Sequence, residues 1–290
     1  MIQLQRLSIN GLSHHINFWG SSKKPKLFLF HGWMDLGSSF QFVCEKLSKH
    51  FYCIAPDWRG FGKSAHTSNP LGYFFYEYVA DAHRLFQKLA SNEKVRVVGH
   101  SMGGNILSFY AGTFPERFSH FVNIEGFGIH DMPAIQGPDK MRKWIDEIDE
   151  SKNFKIYPSL KELAGRLIQT NPRLPMDKAI ILARAMSRRV KGGYQIAADP
   201  RHKMANPYLF RLEHYMAFLK KIEAQCLLVA AEHTEMDEWM KPEGDIQQEI
   251  QKRMEWYPAP SQKVIIKNSG HMIHHEKPEE LAEMILSFLV

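Results

Sequence analysis

Short apolar runs alternate with helical patterns along most of this chain, and this alternation restricts the fold more than any other feature. The run KLFLF at residues 26–30 ends at His31-Gly32 and has the uniformly apolar character of a strand buried on both faces. Similar runs, and a pair flanking the Asn10-Gly11 turn, predict eight strands at residues 2–9, 15–19, 26–30, 51–55, 95–98, 121–124, 226–231 and 264–266. Helices are predicted at residues 39–49, 76–90, 105–111, 246–254 and 279–289. We therefore expect an α/β fold with a mostly parallel eight-stranded sheet and helices on both faces.

The segment from residue 131 to residue 215 departs from this alternation. It contains no convincing strand pattern, but helical stretches separated by Pro and Gly at residues 139–150, 159–169 and 176–190. We therefore predict a core domain formed by residues 1–130 and 216–290. Residues 131–215 are predicted to form a helical insertion.

Composition excludes several classes of protein. With 290 residues, of which 44% are hydrophobic and 23% charged, the chain can bury one large core together with a small inserted subdomain. The net charge is +6, but the basic residues are scattered apart from Arg188, Arg189 and Lys191, so nucleic-acid binding is not expected. The sequence does not indicate an oligomeric state.

Cysteine usage and hydropathy indicate a compartment. Cys44, Cys53 and Cys226 are odd in number and widely spaced, which predicts buried free thiols. No apolar run approaches the roughly 20 residues that cross a bilayer, and the first residues do not have the pattern of a signal peptide. We therefore expect a cytoplasmic protein without a membrane span.

A nucleophilic serine is predicted at Ser101. Gly99-His100-Ser101-Met102-Gly103 matches G-x-S-x-G, and it stands between an apolar strand run and a helical stretch. This strand–turn–helix setting lifts the serine out at the carboxyl end of the sheet, and the glycines remove Cβ atoms that would clash there.

The base that activates this serine is predicted to be His271. It follows the last predicted strand, so its side chain can reach a serine at the same edge of the sheet. His274 and His275 are alternatives. The spacing His271-x-x-His274-His275 also suggests metal ligands, but no second ligand cluster is visible in the sequence, so we expect no metal site.

Acyl transfer also needs hydrogen-bond donors where negative charge develops on the carbonyl oxygen. The loop His31-Gly32-Trp33 follows a predicted strand and can supply the backbone N–H of Trp33. Met102, directly after the serine, can supply the second backbone N–H. These two residues are the predicted oxyanion hole.

These motifs, in this order, resemble the α/β-hydrolase family. The resemblance rests on His31-Gly32-Trp33, the segment DWRGFGKS at residues 57–64, GHSMGG at residues 99–104 and Gly270-His271. More narrowly, HGWMD at residues 31–35, IEGFG at residues 124–128 and Asp199-Pro200-Arg201 resemble the serine hydrolase-like proteins. The resemblance implies an α/β-hydrolase fold, a structural role for residues 57–64 and a helical cap formed by residues 131–215.

The acid that orients the histidine is not settled by the motifs. In most α/β-hydrolases it is an Asp in a G-x-x-D turn after the seventh strand, but here the aligned residue is Thr234. Some relatives with this fold place the acid after the preceding strand, where this chain has Glu125. We favour Glu125, because a carboxylate in a Gly-flanked turn after an apolar strand needs a partner. Other carboxylates near the expected position are Glu232, Glu235 and Asp237.

Together these residues predict a serine hydrolase that cleaves a carboxylic ester or thioester of a small-molecule substrate through an acyl-enzyme on Ser101. No metal or organic cofactor is expected. Aromatic residues are candidates for an apolar acyl pocket: the run at residues 73–76, Trp33, Phe61, Phe127 and Trp144. Other chemistry of the same fold, such as C–C bond hydrolysis or a lyase reaction, and a non-catalytic role in binding small molecules are the alternatives.

Overall fold

The computed structural model describes residues 3–91, 93–150 and 152–290. Within them are eleven strands: β1 (Gln3–Ile9), β2 (Leu12–Trp19), β3 (Lys26–Phe30), β4 (Tyr52–Pro56), β5 (Val95–His100), β6 (Phe118–Ile124), β7 (Ile156–Tyr157), β8 (Ser187–Val190), β9 (Gly193–Ile196), β10 (Gln225–Ala231) and β11 (Ser261–Ile266). Eight of them form one sheet in the order β1-β2-β4-β3-β5-β6-β10-β11. Strands β1 and β2 are antiparallel to their neighbours, and the others run parallel. The predicted mostly parallel eight-stranded sheet is confirmed; residue 2 of its first strand lies outside the described residues.

Helices connect the strands. The described residues form α1 (Gln41–Leu47), α2 (Phe75–Ala90), α3 (Met102–Thr113), α4 (Gly137–Glu147), α5 (Leu160–Thr170), α6 (Met176–Ala185), α7 (Leu212–Leu219), α8 (Asp237–Met240), α9 (Ile246–Met254), α10 (Ile273–Glu276) and α11 (Pro278–Leu289). All five helices predicted in the core are present, and α9 has the predicted bounds. Each helix within the described residues is too short or too polar to span a bilayer.

The sheet is buried on both faces, as the apolar runs predicted. In β3, Phe28 and Phe30 join a core cluster that includes residues of α2 and α3, whereas Leu27 and Leu29 join a second cluster with residues of α1 and α11. Alternate side chains of one strand thus point to opposite layers of helices. Cys44, Cys53 and Cys226 are buried free thiols, which confirms their predicted state.

The segment from residue 131 to residue 215 contains a second sheet, and the expectation that it has no strands is wrong. Strands β7, β9 and β8 form an antiparallel sheet in that order. The helix predicted at residues 176–190 ends at Ala185, because residues 187–196 form a hairpin around Lys191-Gly192. Gly192 has a φ of 90°, which suits a two-residue hairpin turn. The strands are short and only half-buried, so their sequence has little of the apolar alternation that identifies a strand.

Asp199, within this segment, contacts residues from earlier in the chain. Its backbone amide donates to the carbonyl of Gly60. Its carboxylate accepts a hydrogen bond from the hydroxyl of Tyr73 at 2.8 Å and forms a salt bridge with Arg201. Three residues later, the ring of His202 stacks between the rings of Phe61 and Tyr73, with a centroid-to-centroid distance of 3.8 Å to each. The Asp-Pro-Arg motif of the sequence therefore belongs to a structural contact.

His202 provides a test of this contact through pH. Burial lowers the pKa of His202 to about 3, whereas an unfolded histidine titrates near 6.5. Below pH 6.5 the unfolded chain therefore binds a proton that the folded chain does not, and the free energy of unfolding falls as the pH falls. We expect His202→Phe to remove this contribution, about 1.4 kcal/mol per pH unit, between pH 6 and pH 4.

Urea unfolding of wild type and His202→Phe across this pH range checks the prediction, with His50→Gln as a control at an exposed histidine. The stability difference between wild type and His202→Phe should change with pH by more than that between wild type and His50→Gln. A difference for His202→Phe that stays constant from pH 6 to pH 4 would contradict the account.

Candidate active site

Ser101 occupies a sharp turn between β5 and α3. Its φ of 52° and ψ of −117° lie in a region that non-glycine residues rarely adopt, and its amide donates to the carbonyl of Ile124 at 2.8 Å. Two flanking glycines allow the turn. A Cβ on Gly99 would lie 2.7 Å from the Cα of Gly104, and a Cβ on Gly103 would lie 2.4 Å from the carbonyl oxygen of Phe30. The backbone therefore holds the serine at the carboxyl end of the sheet.

Glu125 follows β6 and lies directly behind the ring of His271. The Nδ1 atom of His271 is 3.0 Å from Oε2 of Glu125. The Glu125 side chain is fully buried, whereas 19% of the His271 side chain is exposed. Because a carboxylate oxygen accepts, the proton of His271 resides on Nδ1, and Nε2 keeps a free lone pair.

Two further donors fix the Glu125 carboxylate. The amide of Ala231 donates to Oε1 at 2.8 Å, and the hydroxyl of Thr234 donates to Oε2. Thr234 is the residue that stands where most α/β-hydrolases have their acid. In this chain it contacts a carboxylate that comes from the neighbouring strand, β6.

The alternative acids have other partners. Glu235 accepts a hydrogen bond from the backbone amide of His271 at 2.8 Å, not from its ring. Glu232 accepts from Lys267 and from the amide of Asn268. Asp237 begins the short helix α8, and among the described residues no hydrogen bond joins its carboxylate to His271.

The loop that carries His271 is held against the serine turn. Nε2 of His100, the residue before Ser101, donates to the carbonyl oxygen of His271 at 2.8 Å, and the two rings are 4.7 Å apart between centroids. Burial holds the pKa of His100 well below its ordinary value, so this ring is neutral. The Ser101 turn and the His271 loop are thus fixed to each other.

One predicted oxyanion donor, Met102, directly follows Ser101, and the loop that leads to the other, Trp33, passes close to it. A Cβ on Gly32 would lie 3.1 Å from Cβ of Ser101, so the loop leading to Trp33 runs against the serine. Met102 is the first residue of α3, and the amides in the first turn of a helix have no acceptor within the helix.

His31 fixes the conformation of this loop. Its Nε2 accepts from the amide of Trp58 at 2.9 Å, and its Nδ1 donates to the carbonyl of Gly32 at 2.7 Å. Burial lowers the pKa of His31 to about 4, which keeps the ring neutral and both bonds in place at neutral pH.

Two cavities border the site, and Trp33 lines both. The smaller, about 150 Å³, is lined by Met102 and by several of the predicted pocket aromatics: Tyr73, Phe74, Phe75 and Trp144. Phe61 and Phe127 do not line it; they are buried in the core at 1% and 0% exposure, so their assignment to the pocket is wrong.

The larger cavity, about 450 Å³, was not predicted from the sequence. It is bordered by His271 and by apolar side chains of the segment at residues 131–215: Leu163, Leu167, Leu174, Leu182, Met186 and Ile196. Leu163 and Leu167 are four residues apart on α5, so they lie on one face of that helix. This spacing is the signal that could have identified the cavity wall.

Comparisons with known proteins agree with the fold. Residues 25–278 match the family described as alpha/beta hydrolase fold. A serine hydrolase-like protein of Danio rerio is 25% identical over 277 residues, covering 93% of this chain and 83% of the relative. Serine hydrolase-like protein 2 of Homo sapiens is 26% identical, covering 93% of this chain and 88% of the relative.

Among solved structures, the thioesterase domain from the curacin biosynthetic pathway has a TM-score of 0.87 with 22% identity, and the match covers 99% of each chain. An E-2-(acetamidomethylene)succinate hydrolase has a TM-score of 0.77 with 20% identity, covering 100% of this chain and 99% of the other. This chain belongs to the α/β-hydrolase fold family, and it is similar to the serine hydrolase-like proteins within it.

Proposed function

We propose that this protein hydrolyses a carboxylic ester or thioester of a small apolar acyl group, with Ser101, His271 and Glu125 as its catalytic triad. The observation that carries the proposal is the 3.0 Å contact between Nδ1 of His271 and the buried Oε2 of Glu125. It leaves Nε2 of His271 as the atom that can take a proton from a serine hydroxyl.

In the proposed reaction, Oγ of Ser101 attacks the carbonyl carbon and its proton passes to Nε2 of His271. The backbone N–H groups of Trp33 and Met102 donate to the oxygen on which negative charge develops. The tetrahedral intermediate collapses, and His271 returns the proton to the leaving alcohol or thiol. Water, deprotonated by His271, then attacks the acyl-enzyme, and His271 returns that proton to Oγ of Ser101 as the acid leaves. Glu125 stabilises the imidazolium in both halves of the reaction.

The larger cavity is the proposed acyl site. Leucine, methionine and isoleucine side chains form part of its wall, beside charged residues such as Arg166 and Lys203, and His271 stands at its border. We propose that residues 131–215 form a cap over a core made of residues 1–130 and 216–290, so that substrate binds between the two. The three buried free thiols support a reducing compartment, and we propose the cytosol.

Activated esters test the proposal directly. We expect the wild-type protein to hydrolyse p-nitrophenyl esters in a series from acetate to decanoate, with a preference set by the length of the acyl cavity. Steady-state kinetics across the series give kcat/KM for each chain length. If folded protein hydrolyses none of the esters in the series, the proposed activity is contradicted, and a binding role or another reaction is favoured.

A variant that fills the larger cavity tests where the acyl chain lies. Leu167 is half-buried on its wall, so Leu167→Phe adds volume there without entering the main core. We expect it to lower kcat/KM for the longest ester accepted by about tenfold or more while leaving acetate nearly unchanged, because only the long chain meets the added ring. Leu71→Phe, in the smaller cavity, is the matched control. If Leu71→Phe has this effect and Leu167→Phe does not, the acyl chain occupies the smaller cavity.

A further inference from the structure

A cluster of buried polar side chains lies beside the His271 loop, and the proposed reaction does not use it. Asp35, His100, His274 and His275 are each at most 3% exposed. Nε2 of His274 is 3.0 Å from Oδ2 of Asp35, and Nε2 of His275 is 3.9 Å from the same oxygen. The rings of His100 and His274 are 4.4 Å apart between centroids, and those of His274 and His275 are 4.1 Å apart.

Every member of this cluster has a buried polar atom without a partner. Within the described part of the chain, no hydrogen bond reaches Oδ1 of Asp35, Nδ1 of His100, Nδ1 of His274 or Nε2 of His275. Such atoms are uncommon in protein interiors, where nearly all buried polar groups are paired, and several on four adjacent side chains require an explanation.

The tautomer of His100 shows what kind of partner is missing. Its Nε2 donates to the carbonyl of His271, so Nδ1 faces the cluster as an acceptor, and among the described residues nothing donates to it. Oδ1 of Asp35 is also an acceptor. Two buried acceptors beside two further imidazoles favour a cation over a neutral donor, which could serve only one or two of them.

We propose that Asp35, His100 and His274 bind one divalent transition-metal ion of the zinc type, with His275 in reach as a fourth ligand. One ligand atom from each of the first three residues lies within 4.8 Å of the others. Tetrahedral zinc with ligand bonds of about 2.0–2.2 Å sets its ligand atoms about 3.3–3.6 Å apart, so the more distant of these atoms would move closer by roughly 1 Å. A ligand set of imidazole nitrogens and one carboxylate binds zinc in preference to magnesium or calcium.

The surroundings of the cluster suit such an ion. In the proposed arrangement the metal takes the place of the proton between Nε2 of His274 and Asp35, and that proton moves to Nδ1 of the same ring, which has no other partner among the described residues. The hydroxyl of Ser39 donates to Asp35 at 2.8 Å, and the Nε2–H of His100 donates to the backbone carbonyl of His271. Outer hydrogen bonds of this kind orient metal ligands. Because His275 lines the larger cavity, an ion can enter from there.

Metal binding at this site would affect the proposed ester hydrolysis, and only this effect, not the metal site itself, rests on the proposed function. His100 holds the carbonyl of His271, so a metal that draws His100 toward Asp35 shifts the His271 loop. A displacement of about 1 Å at a catalytic group can lower the rate by about 100-fold. Zinc is therefore expected to inhibit ester hydrolysis reversibly, with recovery on addition of a chelator.

Metal binding is tested without reference to activity. We expect the intact protein to bind one Co²⁺ per chain with the visible absorption of a tetrahedral nitrogen–oxygen site, and Zn²⁺ to displace it. His274→Gln should weaken this binding by at least about 100-fold, since it removes a ligand. His233→Asn, at a histidine whose side chain is 53% exposed, is the control for surface binding and should leave it unchanged.

Crystals of the wild-type protein grown with zinc give a second readout, because His274→Gln could fail to fold. An anomalous peak at the zinc edge between Asp35, His100 and His274 is the expected result. Zinc found only on exposed histidines, or equal Co²⁺ spectra for wild type and a folded His274→Gln, would overturn the site. If the metal binds here and no ester is hydrolysed, the proposed function fails and the metal site stands.

Discussion

Replacing Ser101 with alanine is expected to lower kcat for a p-nitrophenyl ester by between about 10,000-fold and about a million-fold. The variant keeps the cavities and the backbone donors but has no atom that can form the acyl-enzyme, so only residual stabilisation of the transition state remains. Single-turnover and steady-state kinetics of purified protein measure the loss. Ser119→Ala, at a half-buried serine near the start of β6, is the matched control and should keep wild-type activity. Equal rates for wild type and Ser101→Ala would show that another residue is the nucleophile.

Glu125→Gln is expected to lower kcat by about 1,000-fold to 10,000-fold. A glutamine at this position can donate its amide N–H to Nδ1 of His271, which favours the tautomer with the proton on Nε2. The neutral glutamine also no longer stabilises the imidazolium. Glu235→Gln and Asp237→Asn are the comparison variants, and each should cost less than about tenfold, because neither carboxylate contacts the His271 ring. The three values of kcat, measured with one ester, rank the acids.

A rescue experiment sharpens this comparison. The hydroxyl of Thr234 contacts the same Glu125 oxygen that faces His271. An aspartate at residue 234 would therefore return a carboxylate to the neighbourhood of Nδ1. We expect Glu125→Gln combined with Thr234→Asp to be at least about tenfold faster than Glu125→Gln alone. A large loss in Glu235→Gln with near-normal turnover in Glu125→Gln would instead assign the acid to Glu235.

The central sheet could be predicted because its strands carry their own signal. Each parallel strand is a short run of apolar residues, and burial on both faces makes that pattern independent of distant contacts. Strand ends were less visible: β6 begins at Phe118 and β11 at Ser261, three residues before their predicted starts, where polar side chains interrupt the apolar run. The three strands within residues 131–215 were missed because they are short and half-exposed, and the hairpin turn at Lys191-Gly192 was their only local sign.

The candidate site divides in the same way. Ser101 and His271 were predicted from local motifs, since a turn between strand and helix needs its glycines nearby in sequence. The local sequence favoured Glu125, but the choice over Glu235 and Asp237 could not be settled locally. It depends on β6 pairing with β10, which aligns Ile124 with Val229 and brings Glu125 to the amide of Ala231 and the hydroxyl of Thr234.

The proposed metal site shows the limit most clearly. Asp35 and His274 are separated by 239 residues in sequence, and His100 lies between them in a different motif. The spacing of His271, His274 and His275 suggested ligands, but their partners become neighbours only in the folded protein. The lack of a second ligand cluster in the sequence therefore argued against a metal, whereas the structure places an aspartate and a further histidine beside His274.

Covalent labelling of Ser101 tests the central claim most directly, because it needs no knowledge of the substrate. A fluorophosphonate reacts with a serine whose proton is taken by a neighbouring base, and mass spectrometry of the digested protein locates the adduct. We predict stoichiometric labelling on the peptide that carries Ser101, with labelling slowed at least about 1,000-fold in His271→Ala. Two results would contradict the proposal that this protein is a serine hydrolase. One is folded wild-type protein that remains unlabelled at Ser101, and the other is equally fast labelling of wild type and His271→Ala.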